Sequence, residues 1–363
     1  MLKLLQEVRL EKISVSSPVT QLFLTLASIA LALITGLIFL EMLDFDGLTV
    51  YFEMFTGAFL TQYGLGETVV KTIPLILCGL AVGFAAKVGL WNIGAEGQFY
   101  MGTFAATGVA LYLLPDAHAT ITIAIMVLAG MLGGALWGLI GVLPLALWRV
   151  NEVITTLMLN YIGILWVDYL IYGPWRNPKH GFPFSVAFGE NARLPVLGTT
   201  RIHLGLVFAL VAVAVVIVIL RNTRWGFEIK AIGENRSGAE YAGIPIVKNL
   251  LFVMMLSGSF AGIAGMAEVS GICHRLQPNI SPGYGYSGII VAWLARINPL
   301  GILIMSFFLG GLLVGGFMMQ VDGLPAGIVY MLQATILFFV LASELFAKYR
   351  VRFKNQAVGD NSA

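Results

Sequence analysis

Charge is the scarcest thing in this sequence. Asp, Glu, Lys and Arg make up 11% of its 363 residues, about half the share of an ordinary soluble domain. That shortage excludes a water-facing globular surface. The net charge is only +2 and the basic residues are scattered, so no nucleic-acid footprint is present. Cysteine is also rare. Cys78 and Cys273 are the only two; they stand in unlike contexts and form neither a disulfide framework nor a metal-ligand spacing. The four histidines, His118, His180, His203 and His274, are isolated. No HExxH, GxSxG or nucleotide-binding lysine loop occurs, which leaves no visible catalytic chemistry, no ATP hydrolysis by this chain and no cofactor site.

What fills the chain instead is apolar. Hydrophobic residues reach 58% and the mean hydropathy is +0.89, the composition of an all-α polytopic membrane protein. Windows of about twenty apolar residues predict about ten spans, near 20–40, 70–86, 98–114, 120–147, 153–172, 203–220, 249–269, 284–295, 301–319 and 326–345. Lys3, Arg9 and Lys12 precede the first run. Its length and the lack of a small-residue cleavage site favour a retained span over a leader. With the N-terminus inside, only Lys71, Arg176, Lys179, Arg193, Arg201 and Arg275 of the 21 Lys and Arg fall outside. That asymmetry places both termini in the cytoplasm.

Segments 41–69 and 173–202 are then external. In the first, Tyr51, Phe52, Met54, Phe55 and Phe59 suit an interfacial position. The second has four prolines and reads as an irregular loop facing the incoming solute. Spans within 70–172 and 249–345 form two four-helix blocks of opposite orientation, joined by a linking span at 203–220. Each block is broken after its first helix, at 87–98 and at 271–287, by Gly- and Pro-containing polar sequence. Paired breaks of this kind point to a transport site between inverted repeats. Glycines at four-residue spacing (Gly130, Gly134 and Gly138; Gly258 and Gly262; Gly311 and Gly315) predict close helix packing.

Polar groups inside spans cost several kcal/mol unless shielded (about 3 on insertion scales), so the few present are candidates for a polar path. Asn92, Glu96 and Gln98 lie at the first break. Asn160 and Tyr161 are mid-span, and Gln333 is in the last span. Asp168 and Glu268 sit nearer the outer ends of their spans. Neutral amides beside aromatics such as Tyr161 and Trp166 suit an uncharged polar solute with a ring. Glu96 has two readings, a solute contact and a cap on the helix that follows the Gly turn.

The largest cytoplasmic segment, 221–248, contains GENRSGAEYAGIP from Gly233 to Pro245. Asn235 or Ser237 is an N-cap and Gly243 a stop signal. The result is a short helix with Ala239 and Ala242 expected on its surface as a docking knob. Three stretches carry a resemblance: GLWNIGAEGQ at Gly89–Gln98, NEVITTLMLNYI at Asn151–Ile162, and AEYAGI at Ala239–Ile244. Together they resemble the permease subunits of ATP-binding cassette importers for nucleosides and simple sugars, within the larger ribose and branched-chain amino-acid permease group. The resemblance implies a type II importer-like permease in a bacterial cytoplasmic membrane. It also implies a separate ATPase subunit, a second permease (a paralogue or an identical copy) and an extracytoplasmic solute-binding protein, with lipid around it. It assigns ATPase coupling to Arg236, Ala239, Glu240, Ala242 and Gly243. The alternative is a gradient-driven secondary transporter, for which Asp168, Glu268 and Glu96 are the only titratable candidates inside the spans.

Overall fold

The computed structural model describes residues 8–12, 18–179, 181–198 and 200–353; Lys3, His180 and Lys354 lie outside them. The described chain is overwhelmingly helical. A two-stranded exception joins its ends, where β1 (Val8–Lys12) pairs antiparallel with β2 (Tyr349–Phe353). Between them run α1 (Pro18–Met42), α2 (Gly47–Phe55, continued by a π turn at Thr56–Leu60) and α3 (Gln62–Ala86). Next come α4 (Ala95–Gly108, with a π turn to Leu113), α5 (Ala119–Trp148), α6 (Glu152–Tyr172) and α7 (Gly205–Asn222). Two short helices follow, α8 (Arg224–Glu234) and α9 (Arg236–Tyr241). The last are α10 (Ile246–Glu268, with a π turn to Cys273), α11 (Tyr284–Leu294), α12 (Pro299–Val321) and α13 (Ala326–Lys348).

Starts are marked by short polar caps. Thr61 Oγ1 accepts from Gly64 N at 3.0 Å, and Asn151 Oδ1 accepts from Val153 N at 2.8 Å. Asn298 Oδ1 accepts from Leu300 N at 3.0 Å ahead of Pro299 at the first helical position. Each satisfies an N–H that has no partner within its helix.

Among the described residues seven helices are long and apolar enough to cross a membrane: α3, α5, α6, α7, α10, α12 and α13. The expected spans at 98–114 and 284–295 fall on the two shorter helices that follow the breaks. α11 has 11 residues, about 16 Å of helix, too short for a hydrocarbon core of about 30 Å. α4 is a 14-residue helix ending in a π turn. α3 also begins eight residues before the apolar window, because the cap at Thr61 outweighs the weak hydrophobicity of 62–69.

Contacts divide the chain into two compact units, 49–329 and the remainder. In the smaller one, Gly47 N donates to Glu41 Oε1 at 3.0 Å, turning the chain after α1, and Gln333 is buried within α13. In the larger one, α3 and α10 are central and pack on each other. Lys71 meets Glu268 near one end and Ser257 Oγ donates to Ala81 O further along, so the two run antiparallel. α3 packs α11 and α12, while α10 packs α4 and α5. Each central helix therefore lies against helices from the other half of the chain. Glycines permit this approach: a Cβ on Gly134 would overlap the Gly258 carbonyl, and one on Gly102 would overlap the Gly262 backbone.

Candidate functional site

Because α3 and α10 are antiparallel, the chain leaves them at opposite ends. It returns through the two breaks, 87–94 and 274–283, and the helices that follow start toward one another. The start of α11 rests directly on the start of α4, and a Cβ at Gly285 would overlap the Glu96 backbone. Glu96 Oε2 accepts from Gly285 N at 2.7 Å. This buried carboxyl group, itself in the first turn of α4, thus takes up an N–H that α11 leaves unpaired. Ser281 Oγ accepts from Gly283 N at 3.0 Å and Tyr284 N at 2.9 Å and closes the rest of the α11 start. Gly283 has φ +92°, a left-handed turn that favours glycine.

Asn160 of α6 fastens the first break from the side. Its Oδ1 accepts from Gly97 N at 2.8 Å. Its Nδ2 donates to Ile93 O at 2.8 Å and to Tyr286 OH at 3.3 Å. Asn92 and Gln98 form a reciprocal amide pair at 2.9 and 3.0 Å. Asn92 Nδ2 also donates to Ser257 Oγ at 2.7 Å, tying the break to α10. All four of these residues are buried, and satisfied buried amides stiffen the segment they hold. Tyr161, by contrast, is 56% exposed.

A second polar cluster lies at the outer end of the expected topology. Lys71 Nζ donates to Tyr284 OH at 2.8 Å and approaches Glu268 Oε1 at 3.4 Å. Tyr284 OH donates to the same oxygen at 3.4 Å, and Glu268 Oε2 is buried with no hydrogen bond. This clamp joins α3, α10 and α11. The sequence pattern counted Lys71 only as an outside charge at the start of the 70–86 span and gave Tyr284 no role; the signal was the interval from Glu67 to Lys71, one helical turn of the helix that the structure begins at Gln62.

The 173–204 segment is irregular, as expected, yet strapped down. Ser185 N donates to Leu276 O at 3.0 Å, Phe188 N to His274 O at 2.8 Å and Leu194 N to Ser270 O at 3.1 Å. His203 Nδ1 accepts from Gly205 N at 3.2 Å, and its ring lies on the Gly271 backbone. Burial pushes its pKa down to about 4, aided by His274 and Arg201.

At the other end, Asn235 Oδ1 accepts from Gly238 N at 3.0 Å and starts α9. Gly243, at φ +77°, ends it, with Ile244 N donating to Ala239 O at 3.0 Å. One expectation is corrected. Ala239 faces inward and is buried, whereas Arg236, Glu240, Ala242 and Gly243 are exposed. The side chain that stands out is Tyr241, 97% exposed; the helix has room for only one inward residue, and the small one takes it.

Seven long apolar helices among the described residues, with two interrupted helices meeting end to end between them, are the architecture of a multi-pass membrane protein. The comparisons specify it further. Residues 64–341 match the family described as the permease component of the branched-chain amino acid transport system. A glucose ABC transporter permease protein of Haloferax volcanii is 37% identical over 88% of this chain and 87% of its own length. A guanosine ABC transporter permease protein of Bacillus subtilis is 33% identical over 92% and 95%. A nucleoside ABC transporter permease protein of Lactococcus lactis is 31% identical over 87% and 89%. Each of these organisms holds a second matching permease, at 26%, 27% and 22% identity. The chain belongs to this permease family: it is the membrane subunit of an ABC importer and not an enzyme. Such a subunit works with an ATPase and a solute-binding protein, and the gradient-driven alternative is set aside.

Proposed function

We propose that the solute is a nucleoside, with a simple sugar as the second choice. Support comes from the guanosine and nucleoside permeases among its relatives and from the GLWNIGAEGQ wording; the glucose permease at 37% identity keeps the sugar reading alive. In this reading the chain sits in the cytoplasmic membrane with both termini inside, pairs with a paralogous permease and receives solute from an external binding protein. The paired relatives in three organisms support the paralogue over an identical copy.

The blocks 70–172 and 249–345 act as inverted repeats, an arrangement supported by the antiparallel α3 and α10 and their exchanged partners. Asn92, Glu96, Gln98 and Asn160 then hold the two helix starts in place, Tyr161 faces the path, and Gln333 serves the last span. The loop 221–248 receives the ATPase stroke through α9, with Tyr241 as the contact beside Arg236, Glu240, Ala242 and Gly243, and with Ala239 anchoring the helix. The observation that carries the coupling role is a capped six-residue helix whose tip tyrosine touches almost nothing.

The test is uptake by the complete complex in proteoliposomes with guanosine, uridine and glucose as cargo. Tyr241→Ala should assemble normally and hydrolyse ATP while uptake falls at least several-fold. Normal uptake by Tyr241→Ala and Gly243→Pro would remove α9 from coupling.

A further inference from the structure

α6 carries a stripe that the helix-start network does not use. Tyr161, Leu165, Asp168 and Tyr172 are spaced i, i+4, i+7 and i+11 and share one face. Tyr161 and Tyr172 are well exposed and Asp168 is half-buried. Among the described residues the Asp168 carboxylate has no hydrogen-bond or ion-pair partner, in contrast to Glu96 and Glu268. The neighbouring edge is formed by Tyr286 of α11, itself 37% exposed and joined to Asn160. Beside it runs an aromatic wall, where Trp166 packs edge-on to Phe104 at 6.0 Å and Phe104 stacks on Trp175 at 5.2 Å.

This face is unsuited to lipid. Tyr161 lies near the middle of α6, which runs from Glu152 to Tyr172, about 14 Å from its start and about 16 Å from its end, so it is no interfacial belt tyrosine. An unpaired carboxylate one turn from the end of a membrane helix is costly against hydrocarbon. A water-lined path removes that cost. Nucleosides and simple sugars share vicinal hydroxyls, and a carboxylate accepts two such O–H bonds at once. Phenol faces meanwhile stack on a sugar or base ring at little entropic cost.

Resting on the cargo reading above, we infer that Asp168 is the specificity residue of the path: it accepts the vicinal hydroxyls of the passing solute, with Tyr161, Tyr172 and Tyr286 forming the surface along which the ring slides.

The experiment compares the complete complex carrying wild-type chain, Asp168→Asn, Asp168→Ala or Asp168→Glu. Each is given guanosine and 2′,3′-dideoxyguanosine, and in a parallel arm glucose and 2,3-dideoxyglucose. Discrimination by the binding protein is common to all variants and cancels in the variant-to-wild-type ratio. Guanosine uptake should fall about tenfold or more in Asp168→Asn and Asp168→Ala. Uptake of the dideoxy compound, slow throughout, should change less than about twofold, and Asp168→Glu should restore part of the diol preference. Thermal midpoints close to wild type confirm that the variants fold. Equal losses for both cargoes mark Asp168 as structural or as a contact to the second permease, and no loss removes it from the path; either overturns the inference while leaving the cargo reading standing. A wild-type complex that carries none of these solutes refutes the cargo reading, and this inference with it.

Discussion

Replacing Glu96 with alanine should loosen the point where the two broken helices meet. The carboxyl group accepts from Gly285 N at 2.7 Å in a buried setting. Alanine leaves that N–H without a partner, a cost of about 1–3 kcal/mol. It also removes an acidic group from the first turn of α4, worth about 0.3–1 kcal/mol more. Truncating a buried side chain adds a cavity, so about 3 kcal/mol in total is expected. Glutamine keeps an acceptor oxygen and should cost roughly half as much. The assay is thermal unfolding in detergent read by a thiol-reactive dye, because Cys78 is a free, fully buried cysteine on the central helix α3. With the partly buried Cys273 replaced by serine in every variant, the remaining thiol reacts only when the core opens. Glu96→Ala should label several degrees below wild type, with Glu96→Gln between them. Coincident curves for Glu96→Ala and wild type would refute the clamp.

Gly134→Ala should cost about 1–3 kcal/mol, since its methyl group meets the Gly258 carbonyl of α10; Gly327→Ala, with open space around it, is the control and should be neutral or slightly stabilising, both read as midpoint shifts. His203 predicts a pH dependence. Its folded pKa is about 4 against the ordinary histidine value of 6.5, so between those values the unfolded chain binds a proton that the folded chain refuses. Its contribution is whole above pH 6.5 and fades as pH falls toward 4, by about 3 kcal/mol. His203→Gln should flatten the midpoint-versus-pH slope across that window, and an unchanged slope would refute the assignment.

Much of the architecture was legible in the residues. The apolar windows located α5, α6, α7, α10, α12 and α13 because a membrane helix is a long local signal. The Gly- and Pro-rich breaks at 87–98 and 271–287 were legible for the same reason, as was the α9 stop at Gly243, where a left-handed residue needs glycine. Ala239 was misjudged because six residues carry too little periodicity to say which face turns inward. The window at 284–295 located α11, but hydropathy counts apolar residues and cannot see that the chain enters from a broken, buried start.

The sequence by itself determined that this chain spans a membrane and where it is interrupted, since burial in lipid is decided by runs of neighbouring residues. Only the tertiary structure decided that the two interruptions meet, that Glu96 spends its acceptor on Gly285 and that Asp168 is left open. Those facts depend on groups 189 residues apart in the case of Glu96 and Gly285, and no local pattern reports which distant N–H a carboxyl group will find.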